Sequence, residues 1–138
     1  MVQLIVGKKG KGKTKQLLDK VNGAIKAAEG NIVYLDKSSK HMYELNNKIR
    51  LIDVSGYPIK NADEFIGFVC GIVSQDHDLQ EMYLDSFLKM QNWKERYYRC
   101  TASVKDISEA YKINFVLSVS MDKEELPAEF QDDIIIAL

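Results

Sequence analysis

A glycine- and lysine-rich segment near the start of the chain most constrains its fold. Residues 7–14 read Gly-Lys-Lys-Gly-Lys-Gly-Lys-Thr and match the pattern G-x-x-x-x-G-K-[ST] at each fixed position. Val2, Leu4, Ile5 and Val6 form an apolar run before the segment, and this run predicts a buried strand. Helical spacing of apolar residues follows from about residue 13 to residue 28. The segment is therefore predicted to join a strand to a helix.

The residue types in this loop fit the binding of a polyphosphate. Glycines let the backbone curl with its N–H groups pointing inward, and the N-terminus of the following helix adds the positive end of its dipole. In this pattern the lysine at position 13 reaches the β and γ phosphates and the threonine hydroxyl at position 14 coordinates Mg²⁺. We predict that Lys13 is catalytic, that Thr14 is a metal ligand, and that the nucleotide is bound by Gly7, Lys8, Lys9, Gly10, Lys11, Gly12, Lys13 and Thr14.

Length, charge and cysteine content narrow the class of protein. The 138 residues favour a single nucleotide-binding domain over residues 1–138. With 19 basic and 20 acidic residues, no overall field attracts nucleic acid, which we do not expect as a partner. Apolar stretches are too short to span a bilayer, so we predict no membrane span and a cytoplasmic location. Cys70 and Cys100 lie in helical patterns and are predicted to be buried free thiols.

Strand and helix patterns alternate along the rest of the chain. Strands are predicted at residues 31–36, 49–54, 81–85, 114–120 and 134–136, and helices at residues 62–74 and after a capping box at Asn92–Glu95. Gly67 and Gly71 are predicted to allow close packing of the first of these helices against the sheet. The alternation predicts a three-layer α/β fold with a mostly parallel central sheet of five or six strands.

Three aspartates follow predicted strands and are candidates for the magnesium site. We favour Asp85, because a further strand beyond it ends in the hydroxyls of Ser118 and Ser120, which are suited to sensing a γ phosphate or positioning water. Asp53 is the rival, since Asp53-Val-Ser-Gly56 fits the D-x-x-G pattern of GTP-binding switch proteins. Asp36 is the third candidate. For each of the three, the alternative is a strand-end residue that caps the next turn.

Groups that accelerate hydrolysis are sparse in the sequence. Asp85 is followed by Ser86, where many ATP-hydrolysing relatives of this pattern have a glutamate. The candidate arginine fingers are Arg50, Arg96 and Arg99, and no arginine-rich lid is evident. His41 follows the second predicted strand, close enough in sequence to approach a nucleotide. The pattern therefore leaves the catalytic base unidentified.

With the motif at residues 7–14 and an aspartate at Asp85, the chain resembles the P-loop nucleoside triphosphatases. It is similar to small bacterial P-loop proteins sometimes labelled twitching-motility-type ATPases. It also resembles in part the deviant loop of partition-type ATPases, K-G-G-x-G-K-T, with Lys8 in place of the lysine that crosses to a dimer partner and Lys9 in place of a glycine. The resemblance implies a P-loop NTPase fold, a bound nucleotide and Mg²⁺.

Three functional hypotheses remain open at the level of sequence. The first is Mg²⁺-dependent binding of ATP or GTP with hydrolysis that is slow alone and faster with a protein partner or in a homo-oligomer. The second is a nucleotide-gated regulatory module without hydrolysis. The third is a GTP-binding switch that uses Asp53, although no Asn-Lys-x-Asp or Thr-Lys-x-Asp segment for reading guanine occurs downstream. ATP is favoured by default.

Overall fold

Strands and helices alternate along the chain in a computed structural model that describes residues 1–85 and 93–138, with side chains described for residues 1–85 and 99–138. The strands are β1 (Val2–Val6), β2 (Asn31–Asp36), β3 (Arg50–Asp53), β4 (Leu79–Leu84), β5 (Asn114–Val119) and β6 (Ile134–Ala137). The α-helices are α1 (Lys13–Ala24), α2 (Ala62–Gln75), α3 (Trp93–Tyr111) and α4 (Ala128–Gln131), with short 3₁₀ helices at Met42–Glu44, Val54–Gly56 and Lys123–Glu125. Among these described helices, none has the length and apolar character needed to cross a membrane.

The strands form one parallel sheet in the order β3-β2-β4-β5-β1-β6. The predicted α/β fold with a parallel sheet is confirmed, and the sheet has six strands. The order places β4 and β5 between β1 and β2, although both follow them in the chain. In parallel sheets, ligands bind beyond the carboxyl ends of the strands at such a change of order. The loops after β1, β5, β4 and β2 therefore meet at one edge.

Two apolar cores lie on opposite faces of the sheet. Alternate residues such as Ile5, Tyr34 and Tyr83 pack with α1 on one face. The residues between them, such as Leu4 and Val33, belong to the larger core that includes α2, α3 and α4 on the other face. Because side chains alternate along a strand, the face of each strand-end residue follows from this pattern.

Local sequence signals set several element boundaries. The Asn61 side chain accepts a hydrogen bond from Glu64 N at 2.8 Å and caps α2, as its sequence pattern predicts. The corresponding box at Asn92–Glu95 lies outside the described residues and side chains. Gly30 allows β2 to start against β4, since a Cβ there would lie 2.1 Å from the Asp78 carbonyl oxygen. Helix α1 ends earlier than predicted, at Ala24.

Two predictions for α2 are wrong, namely the burial of Cys70 and the close packing of Gly67 and Gly71 against the sheet. Cys70 is exposed, and neither Gly67 nor Gly71 has a heavy atom within 4 Å of a built Cβ among the described residues. Val69 and the Ile72–Val73 pair face the core, and Cys70 lies a further 100° around the helix from Val69 because consecutive residues differ by that angle.

The other predicted thiol is buried. Cys100 lies in α3, and burial raises the pKa of its thiol to about 12. The two cysteines therefore differ in environment although their sequence patterns are alike.

Candidate functional site

The glycine-rich loop between β1 and α1 adopts a backbone that requires glycine. Gly10 and Gly12 have φ values of 87° and 95°, and Gly7 has a φ of 156°. Residues with a Cβ rarely adopt these conformations. Gly7 also donates its N–H to the Val119 carbonyl at 3.2 Å, which fixes the start of the loop beside the end of β5. The loop is thus anchored at the carboxyl edge of the sheet.

The curl of the loop leaves several N–H donors available to a ligand. Gly12 caps α1 without a side-chain hydrogen bond, and the first turn of α1 contains no acidic residue to compete for these donors. Within the described part of the chain, hydrogen-bond acceptors are absent for the N–H groups of Lys9, Gly10, Gly12, Lys13 and Thr14. Clustered N–H groups at a helix N-terminus favour a bound anion.

Lys13, the first residue of α1, lies in the cleft beside this loop that is described below. Its side chain is buried, and Nζ donates a hydrogen bond to the Lys8 carbonyl at 3.1 Å. Burial lowers the pKa of Lys13, and the charge of Asp85 acts in the opposite direction. The ammonium group therefore lies within electrostatic range of a carboxylate on the sheet.

Asp85, the favoured magnesium ligand in the sequence, is a buried and well-anchored carboxylate. Oδ2 accepts a hydrogen bond from the Tyr34 hydroxyl at 3.0 Å, and Oδ1 accepts one from the Ser118 hydroxyl at 2.9 Å. The Asp85 N–H continues the pairing of β4 with β2 by donating to the Leu35 carbonyl at 2.9 Å. Burial, followed by the neighbouring charge and hydrogen bond of Asp85, raises the pKa of Tyr34 well above its ordinary value. Hydroxyls from strands on both sides of β4 thus orient this carboxylate.

Asp36 lies next to Asp85, an arrangement that sequence reasoning missed. The register pairs Leu35 with Leu84, so the following residues of β2 and β4 are neighbours and point to the α1 face of the sheet. Asp36 is 3% exposed; Oδ1 accepts a hydrogen bond from Lys37 N at 2.7 Å. Oδ2 is buried and, among the described residues, has no hydrogen-bond partner. Burial and the charge of Asp85 raise the pKa of Asp36 above its usual value.

Asp53 is placed differently from the other two aspartates. It ends β3, the strand at the edge of the sheet, and its Oδ1 accepts a hydrogen bond from Ser55 N at 3.0 Å. It thereby caps its own 3₁₀ turn, the alternative that the sequence left open. Asp53 is also not among the described residues that line the cleft beside the glycine-rich loop of residues 7–14, which the sequence predicts to be a phosphate loop. The structure therefore brings Asp85 and Asp36 to the loop and leaves Asp53 at the edge.

A cleft of about 410 Å³ lies over these groups. Its size falls within the range of pockets that bind small molecules, roughly 300–1,000 Å³. The described lining residues come from the phosphate loop, from the ends of β2, β4 and β5, and from the turn after β2: Lys9, Gly10, Gly12, Lys13, Thr14, Asp36, Lys37, Ser38, Lys40, His41, Asp85, Ser118 and Ser120. Three predicted site residues, Gly7, Lys8 and Lys11, are not among the described lining residues. Of these, Lys8 forms an exposed ion pair with Asp122 at 3.4 Å.

The two candidate arginine fingers with described side chains, Arg50 and Arg99, lie outside the cleft lining. Arg50 pairs with Asp76 at 3.2 Å, and Arg99 pairs with Asp63 at 3.6 Å. The Arg96 side chain and Ser86 lie outside the described parts of the chain. Neither described arginine lines the cleft. A cation that accelerates hydrolysis would therefore have to come from the cleft lysines, from the undescribed part of the chain or from a partner.

The residues of the cleft fit a magnesium-bound polyphosphate. Within the described residues, no cluster of three or more His, Cys, Asp and Glu side chains forms a cage for a metal ion. Mg²⁺ characteristically needs only one or two protein oxygens, with water and phosphate oxygens completing its shell. Thr14 and Asp85 can supply those oxygens, and the unpartnered Oδ2 of Asp36 adds a buried acceptor beside them.

Comparison with known proteins supports the fold. No family model matches the chain, and no curated protein matches it. The chain is similar to the crystal structure of a KaiC-like protein from the hyperthermophilic archaeon Pyrococcus horikoshii OT3, with a TM-score of 0.57 and 15% identity over 86% of this chain. The match covers 62% of that protein's chain, so the present chain spans less than two thirds of its length. At this identity the likeness shows the three-layer α/β fold.

Proposed function

We propose that the chain binds a nucleoside triphosphate, with ATP favoured over GTP, together with Mg²⁺ in the cleft beside the phosphate loop. One observation carries the proposal: the unpaired N–H groups of the loop, the buried ammonium of Lys13 and the anchored carboxylate of Asp85 all meet in this cleft. A cradle of donors and a cation on one side and a carboxylate on the other match a polyphosphate that carries a metal ion.

Each group has a distinct role in this proposal. The loop N–H groups bind phosphate oxygens, Lys13 neutralises the terminal phosphates, and Lys8, Lys9 and Lys11 add positive charge around them. Thr14 and Asp85 hold Mg²⁺, either directly or through water. When bound, the metal neutralises charge that develops on the phosphates. Tyr34 and Ser118 keep the Asp85 carboxylate in place.

We further propose slow hydrolysis with Asp36 as the acceptor of the proton from the attacking water. Its buried Oδ2 has no hydrogen-bond partner among the described residues, and Asp36 lines the cleft from β2, the strand that pairs with β4. Asp36 would thereby supply the acceptor that the sequence lacks at Ser86. A protein partner or a second copy of the chain would supply an additional cation, which makes turnover dependent on assembly.

Calorimetric titration with ATP and GTP, with and without Mg²⁺, tests nucleotide binding. We expect Lys13→Ala to weaken binding at least about tenfold, as for the loss of a hydrogen bond to a charged group. Lys15→Ala is the matched control, because Lys15 is an exposed lysine on the same helix. Equal affinities for both variants, or binding that is indifferent to Mg²⁺, would reject the proposal.

Phosphate release measured over a wide range of protein concentrations tests hydrolysis separately. We expect a rate well below about 1 s⁻¹ at low concentration that rises with assembly, and a further loss in Asp36→Asn with nucleotide binding retained. Tight, Mg²⁺-dependent binding without any turnover would instead favour the nucleotide-gated regulatory module, for which Ser86 after Asp85 is the motivating observation.

The wider setting is also a proposal. We infer a single domain over residues 1–138 that works in the cytoplasm with a protein partner or as a homo-oligomer. The resemblance to twitching-motility-type and partition-type ATPases rests on the loop residues, and Lys8 would be the residue to reach a dimer partner. Light scattering with and without Mg²⁺ and nucleotide tests nucleotide-dependent assembly, and a constant mass under both conditions would argue against it.

A further inference from the structure

A cationic turn lines the cleft on the side away from the phosphate loop. This turn, residues 37–41 after β2, contributes Lys37, Ser38, Lys40 and His41 to the lining. The charges of His41 and Lys37 are close enough to lower the pKa of Asp36, although burial outweighs them. Among the described residues, no carboxylate lies within ion-pair distance of Lys37 or Lys40. Two lysines therefore line the cleft in addition to those of the phosphate loop.

Asp36, directly before this turn, adds a hydrogen-bond acceptor beside the lysines. Its Oδ2 is a buried acceptor without a hydrogen-bond partner among the described residues. Buried polar atoms in folded proteins nearly always have a partner, so Asp36 Oδ2 has the capacity to accept a hydrogen bond from a water molecule or a ligand hydroxyl. An ammonium group on the ligand would be repelled by the lysines, whereas a hydroxyl group would be accepted.

We propose that Asp36 and the cationic turn form a second subsite that takes a small hydroxylated oxyanion. Its negative oxygens would contact the ammonium groups of Lys37 and Lys40, and its O–H group would donate to Asp36 Oδ2. Monohydrogen phosphate has this chemistry, as do alcohols that carry a phosphate or a carboxylate. The subsite rests on the proposed function in that it adjoins the position proposed for the terminal phosphate of the nucleotide.

The ligand has two possible sources. In the first, it is the orthophosphate released by hydrolysis, retained briefly before it leaves. In the second, it is an alcohol that accepts the phosphoryl group: its oxygen forms a bond to the γ phosphorus while the bond from that phosphorus to the β-γ bridging oxygen breaks. The nucleoside diphosphate leaves with that electron pair, and Asp36 Oδ2 takes the proton of the alcohol. Both sources present an O–H donor next to an anionic group.

Phosphate and sulfate are a matched pair of probes for this subsite. In mildly alkaline solution both are tetrahedral dianions, but only monohydrogen phosphate has a proton to donate. A carboxylate acceptor therefore favours phosphate and repels sulfate, whereas lysines on a surface bind both alike. We expect phosphate to bind at least about tenfold more tightly than sulfate, the factor that one hydrogen bond to a charged group provides.

The experiment is isothermal titration of phosphate and of sulfate, at constant ionic strength, into protein saturated with Mg²⁺ and a non-hydrolysable ATP analogue. The analogue keeps the probes from the position next to Lys13. We expect Asp36→Asn to abolish the preference for phosphate, and Lys37→Ala combined with Lys40→Ala to weaken phosphate binding roughly fivefold to thirtyfold. Lys48→Ala, an exposed lysine outside the cleft lining, is the matched control and should leave binding unchanged.

The outcomes separate this inference from the proposed function. Equal affinity for phosphate and sulfate, or equal loss in the Lys37/Lys40 and Lys48 variants, overturns the subsite even if the nucleotide binds. If the analogue does not bind, the proposed function fails, and the same titrations on the free protein still test the subsite through its dependence on Asp36 and Lys37.

Glycerol 3-phosphate distinguishes the two sources of the ligand. It is titrated into the protein, and the mixture with ATP is then followed by ³¹P NMR. A new phosphorylated product supports the phosphoryl acceptor, whereas competition with orthophosphate without a product supports the released phosphate. Both depend on the same side chains.

Discussion

Replacing Asp36 by asparagine should make the ligand-free protein more stable. The carboxylates of Asp36 and Asp85 follow neighbouring strands in register and point to the same face of the sheet. Asparagine has nearly the same shape and keeps a carbonyl oxygen for the hydrogen bond from Lys37 N. The substitution therefore removes one of two like charges without removing the contact that holds the side chain.

The magnitude follows from the spacing of the strands. Neighbouring strands lie about 4.8 Å apart, so we take the carboxylates to be about 6 Å apart. Two unit charges at that distance repel by about 3 kcal/mol at an effective dielectric constant of about 20. Lys13 near Asp85, and Lys37 and His41 near Asp36, offset part of this repulsion. We expect a net gain of about 1–2 kcal/mol in the free energy of unfolding at neutral pH, within the usual range for relieving a strained functional site.

The gain should depend on pH in a defined direction. Burial and the charge of Asp85 raise the pKa of Asp36 above the value of 3.8 that applies to an unperturbed side chain. Between 3.8 and the raised pKa, the folded protein binds more protons than the unfolded chain, so the wild type loses stability as pH rises through this window. Asp36→Asn lacks this loss. The difference between variant and wild type should therefore be small in acid and reach its plateau above the folded-state pKa of Asp36.

Urea denaturation across this pH range, in buffer with a chelator and without nucleotide, measures the effect. Asp53→Asn is the control, because asparagine caps a turn about as well as aspartate. The free energy of unfolding of this variant should differ from that of the wild type by less than about 0.5 kcal/mol. A less stable Asp36→Asn protein at neutral pH, or a difference that does not change with pH, would refute the proposed repulsion between the two carboxylates.

Two further substitutions test the anchoring of the site and the packing of the sheet. Tyr34→Phe removes the hydroxyl that donates to Asp85, and it should lower the free energy of unfolding by about 1–3 kcal/mol and weaken the Mg²⁺ dependence of nucleotide binding, as measured by urea denaturation and calorimetry. Gly30→Ala places a methyl group 2.1 Å from the Asp78 carbonyl oxygen and should destabilise by about 2 kcal/mol or more, whereas Gly23→Ala, in open space on α1, should stabilise by up to about 1 kcal/mol. Similar melting temperatures for the two alanine variants would contradict the close approach at Gly30.

The elements of the fold and the phosphate loop are predictable because their signals are local. The pattern from Gly7 to Thr14 lies between an apolar strand and an amphipathic helix, and each of these is read within a few residues of the loop. The predicted range of β2, residues 31–36, agrees with the structure, because its apolar run has turn signals at both ends. Short-range periodicity thus specifies most of the fold and the first half of the site.

The second half of the site depends on strand order, which local patterns do not contain. Asp36 and Asp85 are separated by 48 intervening residues and become neighbours because β4 pairs with β2. From local patterns Asp36 is the last of the three candidates, because each aspartate follows a predicted strand and only Asp85 and Asp53 have an additional pattern in their favour. Only the order of the sheet shows that Asp53 is at the edge and that Asp36 is beside the phosphate loop. The same limit applies to Cys70, whose exposure depends on which face α2 turns toward the sheet.

Positive and negative groups lie on different sides of the cleft, and this separation would favour a metal-bound nucleotide over other anions. Donors and the Lys13 ammonium lie on the loop side, whereas Asp85 and Asp36 lie at the strand ends. A polyphosphate without metal would gain from the loop but meet two carboxylates, and a free cation would gain from the carboxylates but meet a lysine. A polyphosphate with Mg²⁺ carries both signs, so Asp85 and Asp36 would favour its metal and the loop would favour its oxygens. We therefore expect nucleotide binding to depend on Mg²⁺ because of the two carboxylates, whereas a lysine-rich loop alone would bind anions without the metal.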